Sequence, residues 1–545
     1  MTEETTIILC GGQISYSSLP IGTNQSNAMI PINGRPVIGW ILDDLLQKDI
    51  RSVVVVLREQ DYRLQSFLQR AYTGRMEIGI AALKSEGTII QSVQAGLNRS
   101  AGTGPVRIIL GDTLIRDRFD ESGDFVYVGK VADSRRWCLA VTAANATVID
   151  YIDKQETAAE PKLALAGYYQ FEAAGHLRDC VEQCVASGER ELSALLRRYG
   201  LLHPILAREL KEWYDFGHID NLVDARRRLI QPRYFNSLTI NPILNTITKV
   251  SENDEKLRDE LNWYLSIPDE LKVLTPRILK HAANNGHLEV VQEYYGYPTL
   301  AELYVYGDLH ADSWLSILRH VLRIHGEFCR YEGALDDSSI ESMYFDKTWK
   351  RIEDLQAQHE GWAALLARKA IVYNGRSLTN VFDLKVKVRE RARKIAESAP
   401  VRAIHGDLCF SNILFDVNNQ IIRLIDPRGS FGRKGIFGDA RYDVAKLRHS
   451  VCGLYDYIVA SMFELQERDG EFTGRVCANG TQNVVSLSFD QLVAGLGYDI
   501  NDVKFIEGLL FISMLPLHQG HPERQRMMFV TGLSLLNEVL HADRD

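Results

Sequence analysis

Four consecutive valines, Val53 to Val56 within the apolar stretch 52–57, constrain this chain more than any other segment. A strand that is apolar on both faces must be covered on both faces, which is the condition of a strand inside a parallel sheet flanked by helices. Stretches 6–9 and 106–110 have the same character and run into Gly11-Gly12 and Gly111-Asp112. A segment with helical apolar spacing, 36–46, separates the first two. This alternation persists from residue 6 to about 225 and predicts an α/β domain with right-handed crossovers.

The rhythm changes after Asp220. Arg226, Arg227 and Arg228 close a helix and Pro232 breaks it. Stretches 235–240 and 245–250 read as paired strands, followed by a helix carrying Glu255, Lys256, Glu260 and Trp263. From about Leu300 the chain reads as mostly helical, interrupted at 401–430 by a loop between short strands. With 545 residues the chain exceeds one hydrophobic core, and two or three domains are expected.

Hydrophobic residues make up 46% and charged residues 24%, the composition of a soluble globular protein. The net charge of −9 speaks against a nucleic-acid partner held by general electrostatics, but leaves room for a nucleotide in a local site. The apolar run Ile7 to Cys10 is too short for a signal-peptide core. The most apolar stretch near the C-terminus, 508–517, falls short of the roughly 20 residues a membrane span needs. A cytoplasmic protein without a membrane partner is expected. The eight cysteines are scattered, and Cys180 and Cys184 read as ordinary helix residues rather than metal ligands. Asn479-Gly480-Thr481 matches a glycosylation sequon but reads as a turn.

The densest chemical signal is His405-Gly406-Asp407-Leu408-Cys409-Phe410-Ser411-Asn412, followed by Leu424-Ile425-Asp426. Phosphoryl transfer needs an acceptor hydroxyl in line with the γ-phosphate and cations on the phosphate oxygens. A loop Asp can orient and deprotonate that hydroxyl. An Asn five residues later can reach a metal, and an Asp after the following strand can bridge metal and phosphates. Asp407, Asn412 and Asp426 fit these roles in order and spacing. The segment resembles the aminoglycoside phosphotransferase and choline kinase family, a branch of the protein-kinase-like fold, over roughly residues 233–545. The resemblance implies a bilobal α+β kinase, with a small lobe at 233–296 and a large helical lobe with the catalytic loop at 297–545. It implies ATP as phosphoryl donor, Mg²⁺ as cofactor, and a small-molecule acceptor as partner. Asp407 is then catalytic, and Asn412 and Asp426 hold metal. Lys249 and Glu260 resemble the family's phosphate-anchoring ion pair, and Glu293 falls where the hinge would meet adenine. Asp443 is expected to brace the catalytic loop. Asp439 either faces substrate or caps the next helix, and His518 is either structural or lines the acceptor pocket. The loop before Lys249, Asn241 to Asn245, lacks the glycines of a phosphate cradle.

Residues 1–225 resemble the sugar-1-phosphate nucleotidyltransferases. The carriers are 7–12, then Met29-Ile30-Pro31-Ile32-Asn33-Gly34-Arg35-Pro36, Gly87-Thr88, Leu110-Gly111-Asp112, Asp153-Lys154, 166–171, and Trp213-Tyr214-Asp215-Phe216-Gly217-His218. The resemblance implies a Rossmann-like, GT-A-like domain. Gly11, Gly12, Gly87, Thr88 and Lys154 would bind nucleotide or sugar phosphate, and Asp112 and Asp215 would hold Mg²⁺. One departure stands out. The family's first loop carries an arginine and a lysine for the charge developing in the transition state. Here it reads Gly11-Gly12-Gln13-Ile14-Ser15-Tyr16-Ser17-Ser18, then Gln25-Ser26-Asn27, and no lysine or arginine precedes Arg35. The expected function is a bifunctional kinase and nucleotidyltransferase serving surface polysaccharide or cell-envelope biosynthesis, with a second NTP or sugar nucleotide as partner. The alternative is an active kinase joined to a nucleotidyltransferase-like domain that only regulates or scaffolds. Acceptor, NTP base and oligomeric state stay open.

Overall fold

The computed structural model describes residues 4–13, 26–84, 87–100, 102–119, 122–157, 160–229, 236–284, 287–478 and 480–542. The chain divides into two compact units, Met1–Leu229 and Ile230–Asp545.

The first unit is built on a twisted sheet whose centre is parallel. Val106–Leu110, Thr5–Leu9, Ser52–Arg58 and Glu77–Leu83 lie side by side in that order. Ile7 pairs with Val54 on one side and Ile108 on the other. The valine stretch is therefore interior, and Val53, Val55 and Val56 are buried. Leu163–Phe171 runs antiparallel to Val106–Leu110 and carries the sheet on to Cys138–Thr142 and Val148–Asp153. The helix expected at 36–46 forms as Val37–Gln47, starting after Pro36, whose fixed φ and missing N–H suit a helix start. Helix Ile89–Arg99 packs so closely on the sheet that a Cβ at Gly96 would stand 2.5 Å from Ile7 Cγ2. Cys180 and Cys184 are buried in the core on helix Ala174–Ala186. Because the parallel strands point the same way, Gly11-Gly12 and Asp112 emerge together at their carboxyl ends, the edge where open α/β sheets bind ligands.

The second unit opens with a four-stranded antiparallel sheet, in the order Asn236–Asn241, Thr246–Ser251, His287–Glu293, Ile278–Asn284. The two strands expected at 235–250 are its first hairpin, with Lys249 opposite Leu238. Helix Asp254–Ser266 covers it, capped by the Asn253 side chain. Helices dominate beyond residue 300, and Ala440–Val451 is buried along its whole length. A further sheet was not expected: Arg376–Thr379, Ala370–Tyr373, Glu471–Val476 and Phe463–Arg468 pair in that order. The loop at 401–430 contains the hairpin Ile413–Asp416 and Ile421–Leu424. Among the described residues no helix is long and apolar enough to cross a membrane. All eight cysteines are free. Asn479 of the sequon lies outside the described residues.

Candidate functional site

In the second unit one lysine ties three elements together. Lys249 Nζ lies 2.8 Å from both carboxylate oxygens of Glu260 and 2.9 Å from Asp426 Oδ1. Lys249 and Glu260 are each only 6% exposed, so this is no surface ion pair. Burial alone would drive the ammonium toward neutrality, but Asp426 and Glu260 outweigh it and hold the charge above the ordinary lysine range. Burial pushes Glu260 the other way, up from the usual carboxylate range, while Lys249 pulls it back. Asp426 follows the strand Ile421–Leu424 with φ +56°, and its N–H donates to Tyr264 Oη at 3.2 Å.

The loop holding Asp407 is braced from the buried helix. Asp443 accepts the N–H of His405 at 2.7 Å and of Gly406 at 2.8 Å, the bracing expected of it. Burial pushes its carboxyl up to about 7 against those two N–H groups. Gly406 sits at φ +78°, where a Cβ would meet Arg428 Cβ at 2.8 Å, so glycine is required twice over. Asn412 Nδ2 donates to Asp407 O at 3.0 Å and Oδ2 at 3.1 Å. Ile425 N–H donates to Asn412 O at 3.0 Å, joining the two metal-ligand candidates through the backbone. Lys446 Nζ lies 2.8 Å from Asp407 Oδ1. Burial would raise the Asp407 carboxyl, but Lys446 holds it well below the usual range. Asp407 still keeps 36% of its side-chain surface, enough to meet a ligand.

Lys446 is the residue the sequence reading left without a role. It lies three positions after Asp443, on the same helix face, so the brace and the counter-ion come from adjacent turns. Asp439 is fully buried and caps this helix, accepting Arg441 N–H at 3.0 Å and Tyr344 Oη–H at 2.9 Å, which settles its two readings toward the cap. His518 Nε2 lies 3.3 Å from Tyr455 Oη, and burial pushes its imidazole down to about 4. The Glu293 carboxylate is taken up by Arg277 Nη2 at 3.0 Å and Tyr295 Oη at 2.8 Å.

In the first unit the two candidate metal carboxylates converge. Trp213–Asp215 pairs with Thr113–Ile115, and Phe216 N–H donates to Asp112 O at 2.9 Å. A Cβ at Gly217 would lie 3.2 Å from both Asp112 Oδ2 and Asp215 Oδ1. Asp215 accepts His218 Nδ1–H and Asn221 Nδ2–H, each at 2.8 Å, and Asp112 accepts Asn27 Nδ2–H at 3.3 Å. Burial and then the Asp215 charge push Asp112 above the usual carboxylate range. The hydrogen bond to Asp215 raises His218. Two convergent, under-neutralised carboxylates fit Mg²⁺, which takes few protein oxygens and fills its octahedron with water and phosphate. Among the described residues no group of three or more His, Cys, Asp or Glu side chains is arranged for a metal.

The nucleotide-side residues are in part assembled. Ser26 Oγ–H donates to Cys10 O at 2.7 Å and Asn27 N–H to Gly12 O at 3.0 Å, so 26–27 folds back on the glycine turn. The loop between, including Ile14 to Ser18 and Gln25, lies outside the described residues. Thr88 caps helix Ile89–Arg99 in a reciprocal box with Gln91, just after Gly87. A Cβ at Gly11 would stand 3.6 Å from Ser92 Oγ, which brings the first turn of that helix against the glycine turn. Lys154, at φ +48°, is exposed, with its N–H on Trp137 O at 2.9 Å. It does not line the cleft of about 330 Å³ beside Asp215. That cleft is lined by Lys130, Arg136, Trp137, Trp213 and Arg228, among others. Its three cations stand in no recognisable motif, and only the folded chain gathers them.

Residues 5–231 match the family model described as nucleotidyl transferase. A glucose-1-phosphate thymidylyltransferase of Xanthomonas campestris pv. campestris is 26% identical over 239 residues, 41% of this chain and 80% of that protein. The enzyme of the same name from Actinoplanes sp. is 26% identical over 238 residues, 40% of this chain and 76% of that protein. A crystal structure of UDP-glucose pyrophosphorylase complexed with UDP-glucose covers 42% of this chain and 98% of its own, at 15% identity and a TM-score of 0.36. The first unit is a nucleotidyltransferase domain with sugar-1-phosphate nucleotidyltransferase homologues.

Proposed function

We propose that the chain is bifunctional. The second unit moves the γ-phosphoryl group of ATP to a hydroxyl of a sugar or small alcohol. The first unit then couples the resulting phosphate to a nucleoside monophosphate drawn from an NTP, releasing pyrophosphate. The observation that carries the kinase half is Lys249, buried between Glu260 and Asp426 within the same unit as the Asp407–Asn412 loop. A buried ammonium shared by two carboxylates is poorly explained as a stabilising device, since such pairs often only break even against apolar packing. It is well explained as a preset anchor for phosphate oxygens.

In this reading Asp407 orients the acceptor hydroxyl and receives its proton as the oxygen attacks phosphorus and the bond to ADP breaks. Lys446 keeps that carboxylate ionised and in place. Asn412 and Asp426 would hold Mg²⁺, as would Asp112 and Asp215 in the first unit. The ion neutralises phosphate charge when bound. Adenine would meet main-chain groups near Glu293, because its carboxylate is engaged by Arg277 and Tyr295. In the first unit Gly11, Gly12, Gly87 and Thr88 would receive the nucleotide, helped by the N-terminus of helix Ile89–Arg99. Lys154 would meet the sugar phosphate, and Lys130, Arg136 and Arg228 line the cleft beside Asp215. A sugar nucleotide as end product suits surface-polysaccharide or cell-envelope assembly.

A second reading has one observation in its favour: with no lysine or arginine before Arg35, the first loop cannot supply its usual cations. The first unit would then bind nucleotide without turning it over. The deciding experiment is ADP release from ATP and Mg²⁺ over an acceptor panel, followed by pyrophosphate release from each NTP with the phosphorylated product. The bifunctional reading expects ADP release that disappears in Asp407→Asn while ATP still binds, and pyrophosphate release that disappears in Asp112→Ala. Nucleotide binding without pyrophosphate release selects the second reading. An Asp407→Asn variant with undiminished turnover defeats the kinase assignment.

A further inference from the structure

Resting on the kinase reading, we infer that the acceptor carries an anionic group, a carboxylate or a phosphate, which Lys347, Arg351 and Arg428 seat beside Asp407. Most buried cations of this unit own a carboxylate. Arg441 pairs with Asp439 and Asp502, Arg448 with Asp490 and Glu507, Lys446 with Asp407, and Lys249 with Glu260 and Asp426. Three half-buried cations do not: Lys347 and Arg428, both within electrostatic reach of Asp407, and Arg351, within reach of those two. Arg351 Nη1 donates to Ser513 O at 2.8 Å, Arg428 Nη1 to Tyr442 Oη at 3.0 Å, and Lys347 Nζ only to Met343 Sδ at 3.9 Å. None of the three has a carboxylate partner among the described residues.

Their placement is specific. Lys347 and Arg351 stand one turn apart on helix Asp346–Gln358. Arg428 lies against the catalytic loop itself, its N–H on His405 O at 3.0 Å and its Cβ packed over Gly406. Lys347 is within electrostatic reach of Arg428, Arg351 and Lys446, which repel it, and of Asp407, which attracts it. Burial and those three neighbours press its ammonium well below the ordinary lysine range. Gathering like charges in a partly buried place is unfavourable without a counter-charge. Asp407 is committed to Lys446, so the negative charge that would keep the Lys347 ammonium in place is one a bound ligand brings. An anion bound by Lys347, Arg351 and Arg428 would hold a neighbouring hydroxyl of the same molecule toward Asp407. A cationic acceptor would meet repulsion there.

The test compares matched acceptors with the full chain, Mg²⁺ and ATP: glucuronate against glucose, galacturonate against galactose, glycerate and glycerol 3-phosphate against glycerol. ADP release is read against an Asp407→Asn blank. The charged member of at least one set should have the higher kcat/KM by about 100-fold. Lys347→Gln and Arg351→Gln should each remove about tenfold or more of that preference, the size of one lost charge-assisted hydrogen bond, through the acceptor KM and not the ATP KM. Equal or better Asp407-dependent turnover of the neutral members overturns the inference and leaves the kinase reading standing. So do variants that raise the ATP KM alone, since the cations would then serve the nucleotide. If no acceptor is turned over, the kinase reading fails on its own terms. Calorimetry of the wild-type chain with AMP-PNP and the same compounds then still decides: binding of a charged member that is lost in Lys347→Gln upholds the anion site, and no preference for charged members refutes it. Arg351→Gln, on the same helix face, covers the case in which Lys347→Gln unfolds.

Discussion

The two units treat paired carboxylates in opposite ways. In the second unit each acidic centre already has its own lysine: Asp407 has Lys446 at 2.8 Å and Asp426 has Lys249 at 2.9 Å. In the first unit Asp112 and Asp215 converge on the same space, and among the described residues their donors are Asn27, Asn221, His218 and the Gly217 N–H, with no lysine or arginine. The first arrangement is electrically settled before any ligand arrives, and the second stores repulsion that a cation must relieve. The difference predicts that mutations in the second unit show mainly in turnover, whereas those in the first show also in metal-dependent stability.

The largest effect tests the settled side. If Lys249 anchors phosphate oxygens, Lys249→Met lowers kcat/KM of phosphoryl transfer by about 10²–10³-fold, the usual cost of removing one donor to developing charge. Lys249→Arg keeps a cation and loses less. Glu260→Gln, which leaves Asp426 as the remaining carboxylate partner, loses about tenfold. Three small and equal effects would instead make the trio a structural ion pair, and the contrast between the units would lose its functional meaning.

A middle-sized effect concerns Lys446. In the wild type Asp407 stays ionised far into acid, because Lys446 outweighs burial. In Lys446→Gln the largest offset to burial is lost and only the weaker pulls of His405 and Arg428 remain, so the Asp407 pKa rises. A base is lost when protonated, so the acid limb of the kcat/KM profile should move to higher pH in the variant, with a loss that grows as the pH is lowered. A profile that only scales down, without moving, would show that Lys446 positions Asp407 without tuning it.

These residues also mark where sequence reasoning stops. The Lys249–Glu260 pair was legible because it needs only a strand residue and the following helix, and the Asp407–Asn412–Asp426 order is carried by one short loop. Lys446 was visible in the same stretch as Asp443, yet its role depends on which helix face meets the loop, a tertiary fact. Lys130 reaches the first unit's cleft from the end of the strand Phe125–Lys130 and Arg136 from the connection after it, and no motif joins the two. The sheet of 370–379 and 463–476 escaped for a related reason. Its strands are short, and Val372 pairs with Glu471, about a hundred residues away, so no local pattern announces the partner. The central strands of the first unit were legible because continuous apolar runs can be buried in few other ways.

The smallest effect tests the unsettled side and is read in stability. The pKa of Asp112 is raised, first by burial and then by Asp215. A carboxylate so shifted contributes stability below its unfolded pKa and withdraws it as pH rises through the folded value, so above that value the metal-free unit carries the full cost. Mg²⁺ should offset that cost, raising the melting temperature of the first unit's transition in proportion to ln(1 + [Mg²⁺]/Kd), about 2.7 kcal/mol at a hundredfold excess over Kd. Asp112→Asn should do two things together. It removes the repulsion, so in EDTA the variant melts on the order of 2–4 °C above the wild type, the shift that about 1 kcal/mol produces in a unit of this size. It also removes a ligand, so added Mg²⁺ no longer raises its melting point. The EDTA advantage should shrink as pH is lowered through the raised pKa of the wild-type Asp112, where that carboxyl becomes protonated. Asn27→Ala provides the sign control: losing a donor to Asp112 should lower the metal-free melting point while leaving the Mg²⁺ response intact. If Asp112→Asn instead melts lower in EDTA and still responds to Mg²⁺, the two carboxylates are no metal site, and the contrast with the lysine-paired centres of the second unit is one of packing alone.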